Sequence, residues 1–393
     1  MRTVAVIGKN YGDEGKGLVT AGLCSFCANA SSGKALVIKH NGGAQAGHTV
    51  ETGTRFVHHQ IGSGAEYGAD TLFAETYRPD LYQLEKGVTE FKSLFGFVPR
   101  IFSEADAKPT TIDDVLINMA IETKRGDACH GSCGMGINEC AVRLDAGYEL
   151  TMGEIASYTC EQFFERLKTI RKEYTFRRMR ELEIDASNKY YSLLKDENVL
   201  ANFAEAALNN LSYIEIVNAD KDWIGRYGTA IFETGQGLLL DQDFLQNAPH
   251  LTTSKTGIIN SVQFLKKRDM ELQEAIYVTR SYVTRHGVGP LPNEFAREEI
   301  PGIEEDITNA PNKWQGSIRY ARHTDIDDFT KYIYEDIKDL GIKPSLAITH
   351  LNETDDKILF RDEDMPLETL IELLHNDFRD IYISRNRYDI EIV

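Results

Sequence analysis

The sequence predicts an α/β fold: a single large P-loop-like domain with a mostly parallel central sheet, flanking helices and a helical insertion. Residues 151–226 carry apolar side chains at helical spacing between many charges, which predicts the insertion. The chain has 393 residues, only ten prolines and no low-complexity linker, so we expect one domain over residues 1–393. Short apolar runs rich in β-branched residues predict buried strands at residues 3–8, 35–38, 229–232, 274–278, 345–349 and 381–384.

The first predicted strand leads directly into a glycine-rich turn, Gly12–Gly17 (GDEGKG), and a predicted helix follows. A strand, such a turn and a helix in this order aim backbone N–H groups and a helix N-terminus at a phosphate. Lys16 adds a positive charge for the β- or γ-phosphate. Asp13 and Glu14 would repel a phosphate, so their presence indicates that a metal ion or a substrate proton is held at the same place.

A second glycine-rich loop, Asn41–Thr49 (NGGAQAGHT), follows the predicted strand at residues 35–38. Its small residues allow the backbone to approach a ligand closely. His48 is a candidate acid or electrophile. Taken alone, the loop fits equally well a structural turn with a hydrogen-bonded histidine.

Composition excludes several classes of function. The formal net charge of −18 argues against binding to nucleic acid or to an anionic membrane surface, although a local nest of N–H groups and cations still accommodates a small anion. No run approaches 18 apolar residues, and the chain enters its first strand at Thr3, so we expect neither a membrane span nor a signal peptide. Cys24 and Cys27 form a single CxxC without a second pair, which favours buried packing over zinc binding. Unpaired, packed cysteines in turn indicate a reduced, cytoplasmic location.

The two loops together resemble the adenylosuccinate synthetase family. Three later segments are similar to the family in the same order: residues 130–137 (HGSCGMGI), 232–237 (FETGQG) and 284–290 (TRHGVGP). The resemblance spans nearly the whole chain and is weak after Glu294. It implies a ligase that joins L-aspartate to the 6-position of IMP and gives adenylosuccinate. It further implies hydrolysis of GTP through a 6-phosphoryl intermediate, Mg²⁺ as cofactor, and a homodimer.

The resemblance also implies two catalytic residues. Asp13 would be the general base that takes the proton from purine N1, so that negative charge reaches O6, and would bind Mg²⁺ together with Gly47. His48 would stabilise charge on the transferring phosphoryl group or protonate the leaving oxygen. Preorganised electrostatics of this kind supply most of the catalysis in phosphoryl transfer. Without the resemblance, Asp13 also fits the role of an N-cap carboxylate.

Three binding sites are implied in the same way. The triphosphate site would comprise Gly12, Glu14, Gly15, Lys16, Gly17, His350, Asn352 and Ser384. The monophosphate nucleotide would be held by Gln45, Ser132, Cys133, Gln236 and Thr252, and by Arg143 lent by a partner subunit. Aspartate would be bound by Ser317, Arg319 and Arg322.

Several positions depart from the family pattern. Cys133 replaces a threonine and lacks its hydroxyl donor, and Gln45 replaces an asparagine. Arg319 and Arg322 remain where the family has four arginines, and a surface ion pair with Asp325 or Asp327 is the alternative for them. Asn352 replaces the aspartate that accepts both guanine N1–H and N2–H. Because an amide offers one donor group and one acceptor, we expect relaxed guanine selectivity or the use of ATP.

Alternatives remain open. A phage-associated branch of the family makes 2-aminoadenylosuccinate from dGMP with ATP, but many of its members lack the aspartate that this chain keeps at Asp13. A non-catalytic purine nucleotide-binding protein would not need both Asp13 and His48. A metal-dependent phosphohydrolase would need a further ligand cluster, and the nearby candidates are His58 and His59.

Overall fold

The computed structural model describes residues 1–30, 33–126, 134–304 and 316–393. The strands are β1 (Arg2–Gly8), β2 (Ala35–Lys39), β3 (His48–Glu51), β4 (Arg55–His58), β5 (Asp70–Phe73), β6 (Ile101–Glu104), β7 (Ile214–Val217), β8 (Thr229–Gly237), β9 (Glu274–Arg280), β10 (Val283–His286), β11 (Glu294–Phe295), β12 (Ile318–Ala321), β13 (Ser345–Thr349), β14 (Lys357–Leu359), β15 (Asp364–Pro366), β16 (Ile381–Ile383) and β17 (Glu391–Ile392).

Within the described residues, ten of these strands form one sheet in the order β17-β16-β13-β9-β1-β8-β2-β5-β6-β7. Every neighbouring pair is parallel except β16 and β17. The predicted mostly parallel sheet is therefore confirmed. Three small antiparallel sheets, β3–β4, β10–β12–β11 and β14–β15, lie outside it.

Helices flank the sheet, as predicted. They are α1 (Lys16–Asn29), α2 (Leu84–Phe95), α3 (Ile112–Arg125), α4 (Ile137–Asp145), α5 (Met152–Ser157), α6 (Cys160–Ile170), α7 (Phe176–Glu181), α8 (Tyr191–Lys195), α9 (Glu197–Asn210), α10 (Lys221–Ile224), α11 (Ile259–Lys266), α12 (Ile326–Ile337) and α13 (Leu367–Leu374). Helices α5 to α10 occupy most of the segment predicted as the insertion, but β7 lies within it and forms an edge strand of the central sheet.

The central strand β1 is buried on both faces. Val4 and Val6 pack with residues of α1 on one side, while Ala5 and Ile7 belong to the core on the other side. Such burial explains the nearly continuous apolar run that made this strand recognisable in the sequence. Cys24 and Cys27 lie on the buried face of α1 as free thiols, which confirms the predicted packing role.

The parallel arrangement places several loops together. The segments that follow β1, β2, β8, β9 and β13 all leave the sheet at its carboxyl edge, where ligands of open α/β sheets bind. Both glycine-rich loops of the sequence are among these segments. Among the described helices, none has the length and apolar character needed to cross a bilayer.

Candidate active site

Two cavities meet at the carboxyl edge of the sheet. The first, which we name the α1 cavity, lies at the beginning of α1 and reaches the loops after β13 and β16. The second, the interlayer cavity of about 680 Å³, lies between this edge and helices α3, α4 and α7. Asp13, Lys16, Gly47 and His48 line both cavities. The two residues predicted to be catalytic therefore lie on the wall between two spaces that are each open to a ligand.

The first glycine-rich loop is held in shape by its own Glu14. The buried Glu14 carboxylate accepts N–H hydrogen bonds from Asn10 (3.1 Å) and Gly12 (2.7 Å) and forms an ion pair with Lys16 (2.6 Å). Asp13 adopts φ 61°, a left-handed conformation that costs a non-glycine residue free energy. The Glu14 side chain thus braces the loop, while Asp13 is presented at the shared wall.

His48 is oriented by a residue that the sequence reasoning did not assign. Its Nδ1 lies 2.7 Å from Glu233 Oε1, and Lys39 donates to Glu233 Oε2 at 2.7 Å. Burial alone would raise the pKa of Glu233, but Lys39 and His48 hold it well below its ordinary value. Burial lowers the pKa of His48, opposed by Glu233. Because the carboxylate can only accept a hydrogen bond, Nδ1 of His48 carries the proton. The sequence signal for this pair was Glu233 itself, a carboxylate within an otherwise apolar strand.

The α1 cavity contains most of the predicted triphosphate residues. Those on its wall are Glu14, Gly15, Lys16, Gly17, His350 and Asn352, whereas Gly12 lines the interlayer cavity. Asn352 is exposed at this wall, and burial holds the pKa of His350 well below its ordinary value, so this imidazole is neutral. Arg280 and Arg387 also line the cavity and were missed, because neither lies in a recognisable motif.

The structure does not place Ser384 on that wall. This side chain is buried, and its hydroxyl donates to the carbonyl of Asn386 at 2.7 Å. Asn386 itself lines the α1 cavity. Ser384 therefore shapes the turn that presents Asn386, and its predicted role as a triphosphate ligand stays a prediction.

Three of the residues predicted for the monophosphate nucleotide do come together. Gln45, Gln236 and Thr252 line the interlayer cavity. The Oε1 atoms of Gln45 and Gln236 are both buried without a hydrogen-bond partner among the described residues. Buried polar atoms are normally paired, so these two acceptors are suited to N–H or O–H donors of a ligand. Ser132 and Cys133 lie outside the described residues.

Arg143 is engaged by groups of its own chain. Its guanidinium is almost fully buried and pairs with Asp114 through Nε (3.0 Å) and Nη2 (3.0 Å). It also donates to the carbonyls of Pro109 and Tyr148. These contacts fix α4 against α3. The predicted role of Arg143 in binding the monophosphate stays a prediction, and it would require the guanidinium to leave Asp114.

The arginines predicted to bind aspartate are also engaged elsewhere. Arg319 makes a two-point ion pair with Glu294 at 2.9 Å, and Arg322 pairs with Asp364. Neither arginine lines the α1 cavity or the interlayer cavity, and the exposed Ser317 does not line them either. The alternative that these arginines form ion pairs is therefore confirmed, but their partners are Glu294 and Asp364 and not Asp325 or Asp327.

The donors at the shared wall fit a magnesium ion. Mg²⁺ is usually held by one or two carboxylates together with substrate phosphates rather than by a cage of protein ligands. The described residues contain no cluster of three or more His, Cys, Asp or Glu placed for a metal. The Asp13 carboxylate and the Gly47 carbonyl, on the wall of both cavities, are donors of the required kind.

Comparisons with known proteins show which family this chain resembles over most of its length. Residues 5–316 match a family model described as adenylosuccinate synthetase. The chain is 27% identical over 299 residues to the adenylosuccinate synthetase of Thermosipho africanus, covering 75% of this chain and 67% of that protein. It is 27% identical over 353 residues to that of Lactobacillus gasseri, covering 82% and 74%. With the enzyme of Aspergillus clavatus the identity is 29%, over 76% of this chain and 66% of that one, so these alignments span about two thirds of their relatives' length.

Two solved structures share the fold. A fully ligated adenylosuccinate synthetase from Plasmodium falciparum superposes with a TM-score of 0.73 at 17% identity, covering 100% of both chains. A succinoaminodeoxyadenylate synthetase of cyanophage S-2L, bound to dGMP and to dATP as an energy donor, superposes with a TM-score of 0.62 at 13% identity, covering 100% of this chain and 95% of that one.

Proposed function

The chain belongs to the adenylosuccinate synthetase family of C–N bond-forming ligases, and on that premise we propose that it joins L-aspartate to the 6-position of IMP with hydrolysis of GTP or ATP. The observation that carries the proposal is the wall shared by the two cavities. A triphosphate in the α1 cavity and a purine nucleotide in the interlayer cavity would meet there, at Asp13 and His48.

The first chemical step would be phosphorylation of the purine. The Asp13 carboxylate takes the proton from N1, which moves negative charge to O6. O6 then attacks the γ-phosphorus, the bond between that phosphorus and its bridging oxygen breaks, and the nucleoside diphosphate leaves. Bound Mg²⁺, held by Asp13 and Gly47, would neutralise charge on the phosphates. Lys16 and the N–H groups at the start of α1 stabilise the transferring group from the protein side.

His48 would act on the same phosphoryl group. Its Nδ1 is hydrogen-bonded to Glu233, so Nε2 is the atom left to face the wall. The negative charge of arriving phosphates favours the protonated imidazole and offsets the effect of burial. In the second step the amine of aspartate attacks C6, the C6–O6 bond breaks and phosphate leaves. His48 donates a proton to the departing oxygen, and the proton that the amine loses restores the imidazolium.

ATP is the proposed energy donor alongside GTP. Asn352 lies exposed at the outer wall of the α1 cavity, where its amide offers both a donor and an acceptor to an adenine edge. A carboxylate at that position would offer acceptors only and would favour guanine.

A second candidate has an observation of its own. The unpartnered Oε1 atoms of Gln45 and Gln236 are acceptors in the cavity proposed for the purine. The exocyclic amine of a 2-aminopurine would supply two N–H donors to them. On this ground GMP or dGMP is the alternative substrate, the latter being the nucleotide bound by the cyanophage protein.

One assay tests both candidates. Purified protein is incubated with Mg²⁺ and aspartate across IMP, GMP and dGMP, each with GTP or ATP, and phosphate and the succinylated product are measured. Aspartate-dependent turnover with IMP is the expected result. Turnover confined to GMP or dGMP would favour the second candidate, and phosphate release without any amine would point to a hydrolase and overturn both.

The homodimer is a proposal that rests on the family resemblance, and the cytoplasmic location is a proposal that rests on the cysteine pattern. Sedimentation of the purified protein across a range of concentrations tests the first. Tagged full-length protein in its own cells tests the second.

A further inference from the structure

Three consecutive carbonyls of the first glycine-rich loop are held by side chains of β9, β10 and β13. Each carbonyl accepts one hydrogen bond, and the donors and acceptors are Thr284 Oγ1 and Gly12 (3.3 Å), Arg280 Nε and Asp13 (2.6 Å), and Thr349 Oγ1 and Glu14 (2.7 Å). Arg280 and Thr349 are the last residues of β9 and β13, which lie next to each other on one side of β1. The loop is therefore fastened to the carboxyl edge of the sheet, in addition to the brace that its own Glu14 supplies.

Arg280 is the charged member of this set and the one that is bonded to Asp13. It is buried and lines the α1 cavity. A hydrogen bond from a guanidinium to a carbonyl is charge-assisted and stronger than one between neutral groups. Asp13 has φ 61°, and a non-glycine residue keeps such a conformation only when its surroundings hold it. The bond from Arg280 fixes the peptide plane that follows the Asp13 Cα, so it helps to hold the conformation that presents the carboxylate at the shared wall.

The Arg280 guanidinium is itself fixed at a second point. Its Nη1 donates to the Tyr282 hydroxyl at 2.9 Å, and that hydroxyl donates to the Glu353 carboxylate. Tyr282 is buried and lines neither the α1 cavity nor the interlayer cavity. Burial raises the pKa of Tyr282, so the phenol keeps the proton that it donates. Because a guanidinium is a rigid plane, the contacts at Nε and Nη1 together set its orientation.

We propose that Arg280, anchored by Tyr282, is a positioning residue that keeps Asp13 in the conformation required for proton transfer from the purine. Arg280 takes no proton and acts through the Asp13 backbone. The inference rests on the proposed function in that Asp13 is the general base. A direct contact between Arg280 and the triphosphate would already form in the ground state and would affect KM, whereas a misplaced base affects kcat.

The first arm of the test separates kcat from KM. Arg280→Met removes the guanidinium, and a small displacement of the base is expected to lower kcat by about ten- to a hundredfold. The KM values for IMP and for the triphosphate should stay within about threefold of wild type, because no ligand contact is removed. Arg280→Lys keeps a donor and a charge and should recover part of kcat. A rise of about tenfold in the KM for the triphosphate with unchanged kcat would make Arg280 a phosphate ligand and overturn the inference.

Arg226→Met is the matched control. Arg226 Nε also donates to a backbone carbonyl, that of Trp223 at 3.1 Å, but this arginine precedes β8 at the opposite edge of the sheet. Its kcat and KM values should equal those of the wild type. A fall in kcat as large as that of Arg280→Met would show a loss common to arginine substitutions and would overturn the assignment.

The second arm uses Tyr282, which contacts Arg280 outside the two cavities. Tyr282→Phe should lower kcat about three- to tenfold in the wild-type background, because Arg280 loses its second contact. Added to Arg280→Met, it should change kcat by less than about twofold, since two residues that act through one contact are not additive. The same fall in both backgrounds would overturn the inference that Tyr282 acts through Arg280.

The third arm does not depend on turnover. Amide hydrogen exchange in peptides that cover Gly12–Gly17 should be faster in Arg280→Met than in the wild type and in Arg226→Met, because the loop has lost one of its ties to the sheet. Unchanged exchange in this loop would overturn the inference. If the wild type does not join IMP to aspartate but the loop exchanges faster in Arg280→Met, the proposed function fails while Arg280 still holds Asp13.

Discussion

The shared wall of the two cavities and the small β10–β12–β11 sheet both hold charged residues in place, but in different ways. At the shared wall, Glu233 and Glu14 brace His48 and the first glycine-rich loop while Asp13 stays partly accessible. In the small sheet, Arg319 is neutralised by Glu294 outside the cavities. A carboxylate that lies on the side away from the cavity orients its partner toward a ligand. A carboxylate that pairs with a charged group outside the cavities occupies that group, so it does not reach a ligand. The distinction depends on which member of the pair faces the cavity.

The sharpest way to break this comparison is to remove the charge at the shared wall. Asp13→Asn should lower kcat by about 10²–10⁴-fold, which is the usual contribution of a general base. The side chain keeps its size, so the melting temperature should change little. Steady-state kinetics with IMP and calorimetry on the same preparation measure the two effects. A variant that keeps more than a tenth of wild-type kcat would exclude Asp13 as the base.

Removing the brace behind His48 should affect activity and stability together. Glu233→Gln leaves Lys39 buried without a charged partner, which costs about 3–5 kcal/mol at pH 7. Because the folded-state pKa of Glu233 lies below its unfolded value, this stability is present above the unfolded pKa and is lost as the pH falls toward the folded one. The deficit of the variant, measured by urea denaturation, should therefore shrink as the pH falls below about 4.3, the usual pKa of a glutamate in an unfolded chain.

The double variant Lys39→Met with Glu233→Gln separates the two roles of Glu233. It should regain part of the stability, because the unpaired ammonium is gone, while kcat stays low, because His48 is still without its acceptor. Full recovery of kcat in the double variant would show that Glu233 serves stability alone.

The strands β1 and β2 and the loops that follow them could be predicted from local sequence. β1 and β2 are buried on both faces, and each runs into a glycine-rich loop, so their patterns do not depend on distant residues. The partners of long side chains are set by tertiary packing instead. Nothing near Arg143 in the sequence shows that Asp114, 29 residues away, lies beside it, and Arg322 finds Asp364 across 42 residues. Arg178 and Glu139 also form an ion pair that the sequence does not reveal, because they lie on different helices.

Arg143 tests whether a charged group that is paired with a carboxylate away from the cavities takes no part in ligand binding. Arg143→Met should cost about 3–5 kcal/mol of unfolding free energy, because Asp114 is left buried and unpaired. In the fraction that stays folded, the KM for IMP should stay within about twofold of wild type. Asp114→Asn is the matched control, since it removes the other partner and should give a similar loss of stability. A rise in KM of more than tenfold with Arg143→Met alone would restore the role that the family resemblance implied.

We expect Asn352 to set the preference between GTP and ATP. Asn352→Asp should raise the ratio of kcat/KM with GTP to kcat/KM with ATP by about ten- to a hundredfold. The reason is that a carboxylate accepts hydrogen bonds from both guanine N–H groups. Asn386→Asp, on the same cavity wall, is a control for a general effect of added negative charge. An equal shift in both variants would mean that charge, and not the position of Asn352, decides the preference.

The smallest effect is expected at Arg319. Its side chain is 25% exposed and that of Glu294 is 44% exposed, so the pair is worth about 0–1 kcal/mol in stability. Arg319→Gln should change the KM for aspartate by less than about threefold, since its guanidinium also donates to the carbonyls of Gly287 and Gly289 and not into a cavity. Glu294→Gln gives the matched comparison, because it breaks the same pair and leaves the arginine charge. If Arg319→Gln raises this KM tenfold and Glu294→Gln does not, the guanidinium leaves its carboxylate when aspartate arrives, and the small sheet then belongs to the active site as the shared wall does.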